Sequence, residues 1–219
     1  MPAINIEAKI KDILPHIKLG CIEASVDVHP SSPEQSKWIH QQLEKIKISL
    51  SPESIRQTTT VKATKDAYRA LGKDPNRYRP AAEALMRRIA NGKDLYQISN
   101  VVDVLNYISI KTGFSICGYD AQLISEDITL GIGAEGEPYE GIGRGTVNID
   151  SLPVFRDNQG AFGTPTSDST RTMITDKTRD ILYIFISFNH NNELEQAISE
   201  TADLLQKYAM ASHIKTYYI

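Results

Sequence analysis

Residues 98–118 read ISNVVDVLNYISIKTGFSICG, and the fold class turns on how this stretch changes character along its length. Val101, Val104, Leu105 and Ile108 recur at i, i+3, i+4 and i+7, which marks one core-facing helical stripe. Gly113 ends that pattern, and beyond it the apolar residues come in short runs of strand type. Upstream the signals are helical. Ser32-Pro33-Glu34-Gln35 and Ser51-Pro52-Glu53 are helix starts, with an N-cap followed by Pro at the first helical position. A third helix over residues 60–71 is closed by Gly72, and a fourth begins at Pro80 and stops at Asn91-Gly92. Residues 6–18 read as a short helix and residues 20–28 as an alternating strand. Downstream, candidate strands cover 114–118, 122–132, 146–149, 153–156 and 181–188. An amphipathic helix follows over about 192–210, and the tail 214–219 is a candidate edge strand. This order predicts an α+β fold, a helical N-terminal half packed on a mainly antiparallel sheet.

The 219 residues are expected to form one domain, with residues 1–58 as an N-terminal extension packed on the core. A hydrophobic share of 41% with 23% charged residues excludes a disordered chain. The longest apolar run, Ile181–Ile186, is far short of the ~20 residues that span a bilayer. The N-terminus carries charges every few residues where a signal peptide has an apolar core, so a cytoplasmic location is expected. Cys21 and Cys117 form no C-x-x-C pair and are expected to be reduced. His16, His29, His40, His190 and His213 fall at no metal spacing, so neither a metal nor another cofactor is expected. His190 reads as a strand-end or cap residue rather than a catalytic base, and Trp38, inside a helix, as core.

Three segments carry chemistry. Residues 131–145, GIGAEGEPYEGIGRG, contain G-x-G-x-x-G at Gly131, Gly133 and Gly136. Pro138 and three further glycines leave no room for the helix that a dinucleotide site needs. Two readings stay open there: a backbone that must approach a ligand closely, or a plain glycine-rich hairpin. Residues 157–172, DNQGAFGTPTSDSTRT, are dense in hydroxyls, with Asp157, Asp168 and Arg171 among them. They form either a polar pocket or a solvated loop. Finally, ten Lys and Arg between Arg56 and Lys93 face three acids, a segment of +7 in a chain of −3 overall. It reads either as a basic patch for a polyanion or as ordinary helix surface.

Asn100-Val101-Val102-Asp103-Val104-Leu105-Asn106-Tyr107, followed by Cys117-Gly118-Tyr119-Asp120, resembles the B3/B4-type editing domain of the phenylalanyl-tRNA synthetase beta subunit. Ala134-Glu135-Gly136-Glu137 and Pro153–Gly160 are similar to two further blocks of that domain, in the same order. Tyr68-Arg69 through Arg87-Arg88 is similar to free-standing members of the family. The resemblance implies a tRNA-directed module that hydrolyses the ester of a mischarged aminoacyl-tRNA without metal or cofactor. It places the pocket asparagine at Asn106 and the family's active-site histidine at Cys117, with Leu105 where the family has threonine. The region of the family's pocket glutamate is Gly143-Arg144-Gly145. With the polar loop and the glycine-rich segment added, Asn106, Cys117 and Asp168 are the catalytic candidates, and Gly133, Arg144, Ser167, Ser169 and Arg171 the candidates for the ligand pocket. Arg69, Arg77, Arg79, Arg87 and Arg88 are the candidates for holding RNA. A module that binds tRNA, an amino acid or a similar metabolite without turnover is the alternative. What separates the two readings is whether Asn106, Cys117, Arg144 and Asp168 converge on one pocket, with basic residues around its mouth.

Overall fold

The structure, a computed structural model, describes residues 2–189 and 193–219. Its first half contains β1 (Ile4–Ile6), α1 (Ala8–Ile13), β2 (Lys18–Ser25), α2 (Pro33–Lys47), α3 (Pro52–Gln57), α4 (Thr59–Ala70), α5 (Ala81–Ala90) and α6 (Asn100–Thr112). The second half contains β3 (Ile116–Asp120), β4 (Ile128–Ile132), β5 (Glu140–Gly141), β6 (Gly145–Thr146), β7 (Pro153–Asp157), β8 (Gly160–Gly163), β9 (Asp180–Ser187), α7 (Glu193–Ala209) and β10 (Ser212–Tyr218). This is the α+β order expected from the sequence.

Local chemistry sets the boundaries. Ser32 and Ser51 accept hydrogen bonds from the backbone N–H of Gln35 and Ser54, with proline at the first turn of each helix. Ser99 caps α6 at one end, and Gly113, at φ 72°, closes it at the other. Residues 6–18 are not one helix: Ile4–Ile6 pair as a strand, α1 has six residues, and β2 begins at Lys18. Ile4 and Ile6 alternate inward about exposed Asn5, and Pro15 prevents α1 from continuing. Residues 122–132 likewise divide, because Glu126 turns the chain at φ 64° before β4.

The strands form two four-stranded sheets. The central sheet has the order β10-β2-β9-β3, antiparallel throughout. The second has the order β1-β4-β7-β8 and contains one parallel pair, β1 with β4. β5 and β6 form a separate small hairpin. In the central strand β9, Ile181, Tyr183 and Phe185 face a core shared with the helices. Leu182, Ile184 and Ile186 face a second core shared with the other sheet, where Tyr119, Phe155 and Phe162 meet edge to face or stacked. Both faces of β9 are therefore covered, which is why it reads as a continuous apolar run rather than an alternating one. The layers are helices, central sheet, second sheet. β2, from the first 58 residues, lies inside the central sheet between β9 and β10. Trp38 is half-buried and packs edge-on to Tyr107 at 5.1 Å. Cys21 and Cys117 are free and buried. No described helix is long and apolar enough to cross a membrane.

Glu83 holds α5 in place. Its carboxylate is only 1% exposed and meets Lys65 of α4 at 3.2 Å, Arg87 at 2.8 Å and Arg79 at 3.8 Å. Removing the carboxylate strands Lys65, itself 9% exposed, as an unpaired buried cation. Glu83→Ala is therefore expected to lower the unfolding free energy by about 3–5 kcal/mol, measured by urea titration. A loss below about 1 kcal/mol would show that Lys65 reaches water without its partner.

Candidate functional site

α6 carries two faces. Val101, Val104 and Ile108 pack in the core that β9 shares, while Leu105, at the edge of that stripe, joins Val102, Asn106 and Ser109 in a second row that lines a chamber of about 220 Å³. Leu85 of α5 and Ile116 and Gly118 of β3 supply further walls, and Met173, Ile174 and Ile142 close it. The walls are mostly aliphatic, and the polar groups among them are few: the Asn106 amide, the Ser109 hydroxyl and Asp168. Ser109 is taken up by the Phe114 carbonyl at 2.7 Å. Gly118 is needed at the wall, since a Cβ there would stand 2.5 Å from Leu105 Cδ1.

The family-like motif of α6 divides its labour. Asn100 is buried and fully used: its amide donates to the carbonyls of Asp27 (2.8 Å) and Tyr208 (3.1 Å), and its Oδ1 accepts from His29 N. Asp103 accepts from the Ser31 hydroxyl and from Ile98 N. Asn106, half-buried, makes no side-chain hydrogen bond to another described residue, so its amide remains available at the chamber wall.

Asp168 reaches the same chamber from the loop after β8. Its Oδ2 accepts from Gly118 N at 3.0 Å, a donor that edge strand β3 leaves without a strand partner on that side. Asp168 Oδ1 is buried and has no hydrogen-bond partner, and the buried Tyr119 hydroxyl also lacks one. Burial raises the Asp168 carboxyl from 3.8 to about 7. The Gly118 N–H and the nearby Cys117 thiol and Tyr119 hydroxyl pull the other way, the last two without completing a bond to Oδ1. Cys117, adjacent to Gly118 in the strand, points to the opposite face of β3 and into the core between the sheets. Burial and the neighbouring Asp168 push its thiol well above the usual range, so it is neither exposed nor a thiolate.

A wider vestibule of about 460 Å³ adjoins the chamber and shares Ala81, Leu85, Asn106 and Ile142 with it. Arg79, Arg87, Arg88 and Lys93 line it from the α5 side, and Arg144, Thr166 and Ser167 from the other. Arg144 stands at the tip of the β5–β6 hairpin, between Gly143 and Gly145, both at φ 67°. That hairpin is fastened to the Asp168 loop by Ile142 N donating to the Asp168 carbonyl at 2.9 Å and by a bridge from Gly141 to Ser169.

Asn106 and Asp168 thus share a chamber, with Arg79, Arg87, Arg88, Arg144 and Ser167 around its mouth. Other candidates lie elsewhere. Gly133 sits where a Cβ would clash with the Ile149 carbonyl, so its glycine serves packing between loops. Ser169 is buried and caps a short turn by accepting from Arg171 N. Arg171 forms a two-pronged ion pair with Asp157, at 2.8 and 3.0 Å, and leaves Asp168 alone. Arg69 pairs with Asp66 at 2.6 Å, and Arg77 lies near the Tyr78 ring, both outside the vestibule. His190 lies outside the described residues. The chamber walls Ile98, Val102, Met173 and Ile174 were not anticipated, though Ile98, Val102, Leu105 and Ser109 do repeat at helical spacing. A separate groove of about 190 Å³ between α2 and residues 92–97 contains only one buried carboxylate, Asp103, already bonded. The described residues contain no cluster of metal-ligating side chains.

Among known proteins, the family model described as the B3/4 domain matches residues 63–210. No curated protein matches the chain. One similar solved structure is the crystal structure of an N-terminal fragment of the phenylalanyl-tRNA synthetase beta subunit from Pyrococcus horikoshii. It is 13% identical, with a TM-score of 0.49 and coverage of 99% of this chain and 53% of that one. The present chain spans about half the length of that fragment.

The raised Asp168 carboxyl has a consequence for stability. Folding strengthens its hold on the proton, so its contribution is present at low pH and is lost as pH rises through about 7. Asp168→Asn, neutral at every pH, is expected to be more stable than the parent above pH ~7. That advantage should shrink to nothing toward pH ~4, as read by urea titrations across this range. A difference independent of pH would show that the carboxylate is solvated.

Proposed function

This chain belongs to the B3/4 domain family, and on that premise we propose that it binds the aminoacylated end of a tRNA and hydrolyses a mischarged aminoacyl ester. The observation that carries the reading is the shared chamber of Asn106 and Asp168, opening into a vestibule lined by Arg79, Arg87, Arg88, Lys93 and Arg144. The acyl side chain enters between aliphatic walls, and the cations meet backbone phosphates. The free Asn106 amide donates to the ester carbonyl and stabilises the oxyanion that forms there. Asp168, whose proton leaves near pH 7, takes a proton from water as its oxygen attacks the carbonyl carbon. The bond to the ribose oxygen then breaks, and that oxygen receives the proton.

Recognition without turnover is the second reading. It is favoured by one observation, that the family's histidine position is occupied by Cys117, a buried thiol facing away from the chamber. A deacylation screen with tRNAs charged with many different amino acids separates the two. Turnover of at least one of them is expected, with a rate that rises through pH ~7 and then levels, because Asp168 acts as the carboxylate. Asp168→Asn is expected to lower the rate about 10²–10⁴-fold and Asn106→Ala about 10²–10³-fold. Cys117→Ser should leave it within a few-fold. If charged tRNA binds and is never hydrolysed, the second reading stands instead.

Binding should also weaken linearly in log affinity against log salt, and Arg144→Glu with Lys93→Glu should flatten that slope. An unchanged slope would move the RNA to another surface.

A further inference from the structure

The vestibule contains one aromatic residue among its lining side chains, Tyr96, which also borders the groove between α2 and residues 92–97. Tyr96 is 56% exposed in the segment between α5 and α6. One face of its ring is covered by the Arg88 guanidinium, whose carbon stands 3.7 Å from the ring centroid. Arg88 is fixed in turn, its Nε donating to the Asp94 carbonyl at 2.6 Å. The ring is therefore held on one face by Arg88 while more than half of the residue stays exposed, at the border of the vestibule and the groove beside α2. Exposed Ile98, a wall of the chamber, stands two residues further along the same segment. An aromatic ring fixed by a guanidinium on one face and largely exposed offers a stacking surface for a second flat ring.

From this arrangement we infer that Tyr96, backed by Arg88, is the platform on which the terminal nucleobase of the RNA stacks. The inference rests on the proposed aminoacyl-ester reading and adds the nucleoside to it. An ester at the ribose hydroxyl has its base on the same ribose, so the base must lie within one sugar ring of the reacting carbonyl. With the acyl group in the chamber beside Asn106, that places the base in the vestibule, which Asn106 also lines. The remaining vestibule cations, Arg79, Arg87, Lys93 and Arg144, bear charge but offer no fixed flat hydrophobic surface. The free volume of about 460 Å³ accommodates a base and its ribose. Stacking reads any base through its π face, so the platform positions the end of the strand without selecting its sequence.

The test uses an acceptor-stem RNA hairpin with a single-stranded 3′ end and 2-aminopurine as its last base. Binding to the full chain is expected to change 2-aminopurine emission several-fold, as the base stacks. Tyr96→Ala should abolish that change and weaken affinity by about 5- to 150-fold, the usual range for losing one stacked base. Tyr96→Phe should retain both, since the ring and not the hydroxyl is used. The same hairpin with 2-aminopurine three positions inward should show little change in either protein. If the hairpin binds and Tyr96→Ala alters neither emission nor affinity, the platform is wrong while the chamber reading survives. If the hairpin does not bind even at low salt, both fall together. Because Tyr96 is mostly exposed, the alanine variant is expected to melt with the parent, which a thermal scan verifies.

Discussion

Everything in this molecule is arranged around β9, a strand that cannot be left with either face in water. Its side chains alternate between two cores, Ile181, Tyr183 and Phe185 on one side and Leu182, Ile184 and Ile186 on the other. A strand apolar on both faces requires a cover on each, and the chain supplies helices for one and a second sheet for the other. Close approach is obtained with small residues. Gly20 of β2, opposite Phe185, leaves room for Ile198 and Leu194 of α7, where any Cβ would collide. Gly163 does the same for the Tyr119 ring on the opposite face. Substitution at either point separates two layers, and the two-core arrangement depends on both.

The candidate site follows from where this sandwich ends. β3 is an edge strand of the central sheet, so its outer backbone groups need partners from outside the sheet. Asp168 provides one by accepting from Gly118 N, and this draws the carboxyl into an enclosed position beside the chamber. That enclosure raises the proton affinity of the group, while the Gly118 N–H itself pulls it down. A strand-edge requirement thereby becomes a tuned acid–base group. Alternation along β3 also separates roles: Gly118 opens toward the chamber and Cys117 away from it, so two adjacent residues serve opposite layers.

Much of the fold was legible because it rests on local rules. Caps and prolines announced α2 and α3, Gly113 ended α6, and the unbroken run at 181–188 marked the central strand. What escaped notice depends on pairing across long separations. The parallel match of β1 with β4 joins residues more than a hundred apart, and no local signal in Ile4–Ile6 foretells it. The site divided along the same line. Asn106 was picked out by the resemblance of residues 100–107, a contiguous helical motif, and it lines the chamber. Gly133, Ser169 and Arg171 belong to segments rich in polar residues and glycine, where composition cannot distinguish a cap or an internal ion pair from a ligand contact. Tyr96 is a single aromatic in a loop, and its meaning comes only from the arginine above it.

The basic segment shows why sequence charge is a poor measure of a binding surface. Lys73 is turned inward to the carbonyls of Asn148 and Asp150, Lys65 is spent on Glu83, and Arg69 on Asp66. What remains at the vestibule is smaller but better ordered. Glu83 bonds Arg87 one turn on along α5 at 2.8 Å and draws in Arg79, from the segment just before the helix, at 3.8 Å. One carboxylate shared among Lys65, Arg79 and Arg87 leaves the group net positive, so the arginines are held without being neutralised. Arginines already held in one geometry lose less conformational freedom when a phosphate arrives than free side chains would. The buried acid thus serves two ends with one set of contacts: it ties α5 to α4, and it keeps the cations of the vestibule pointed at the mouth of the chamber.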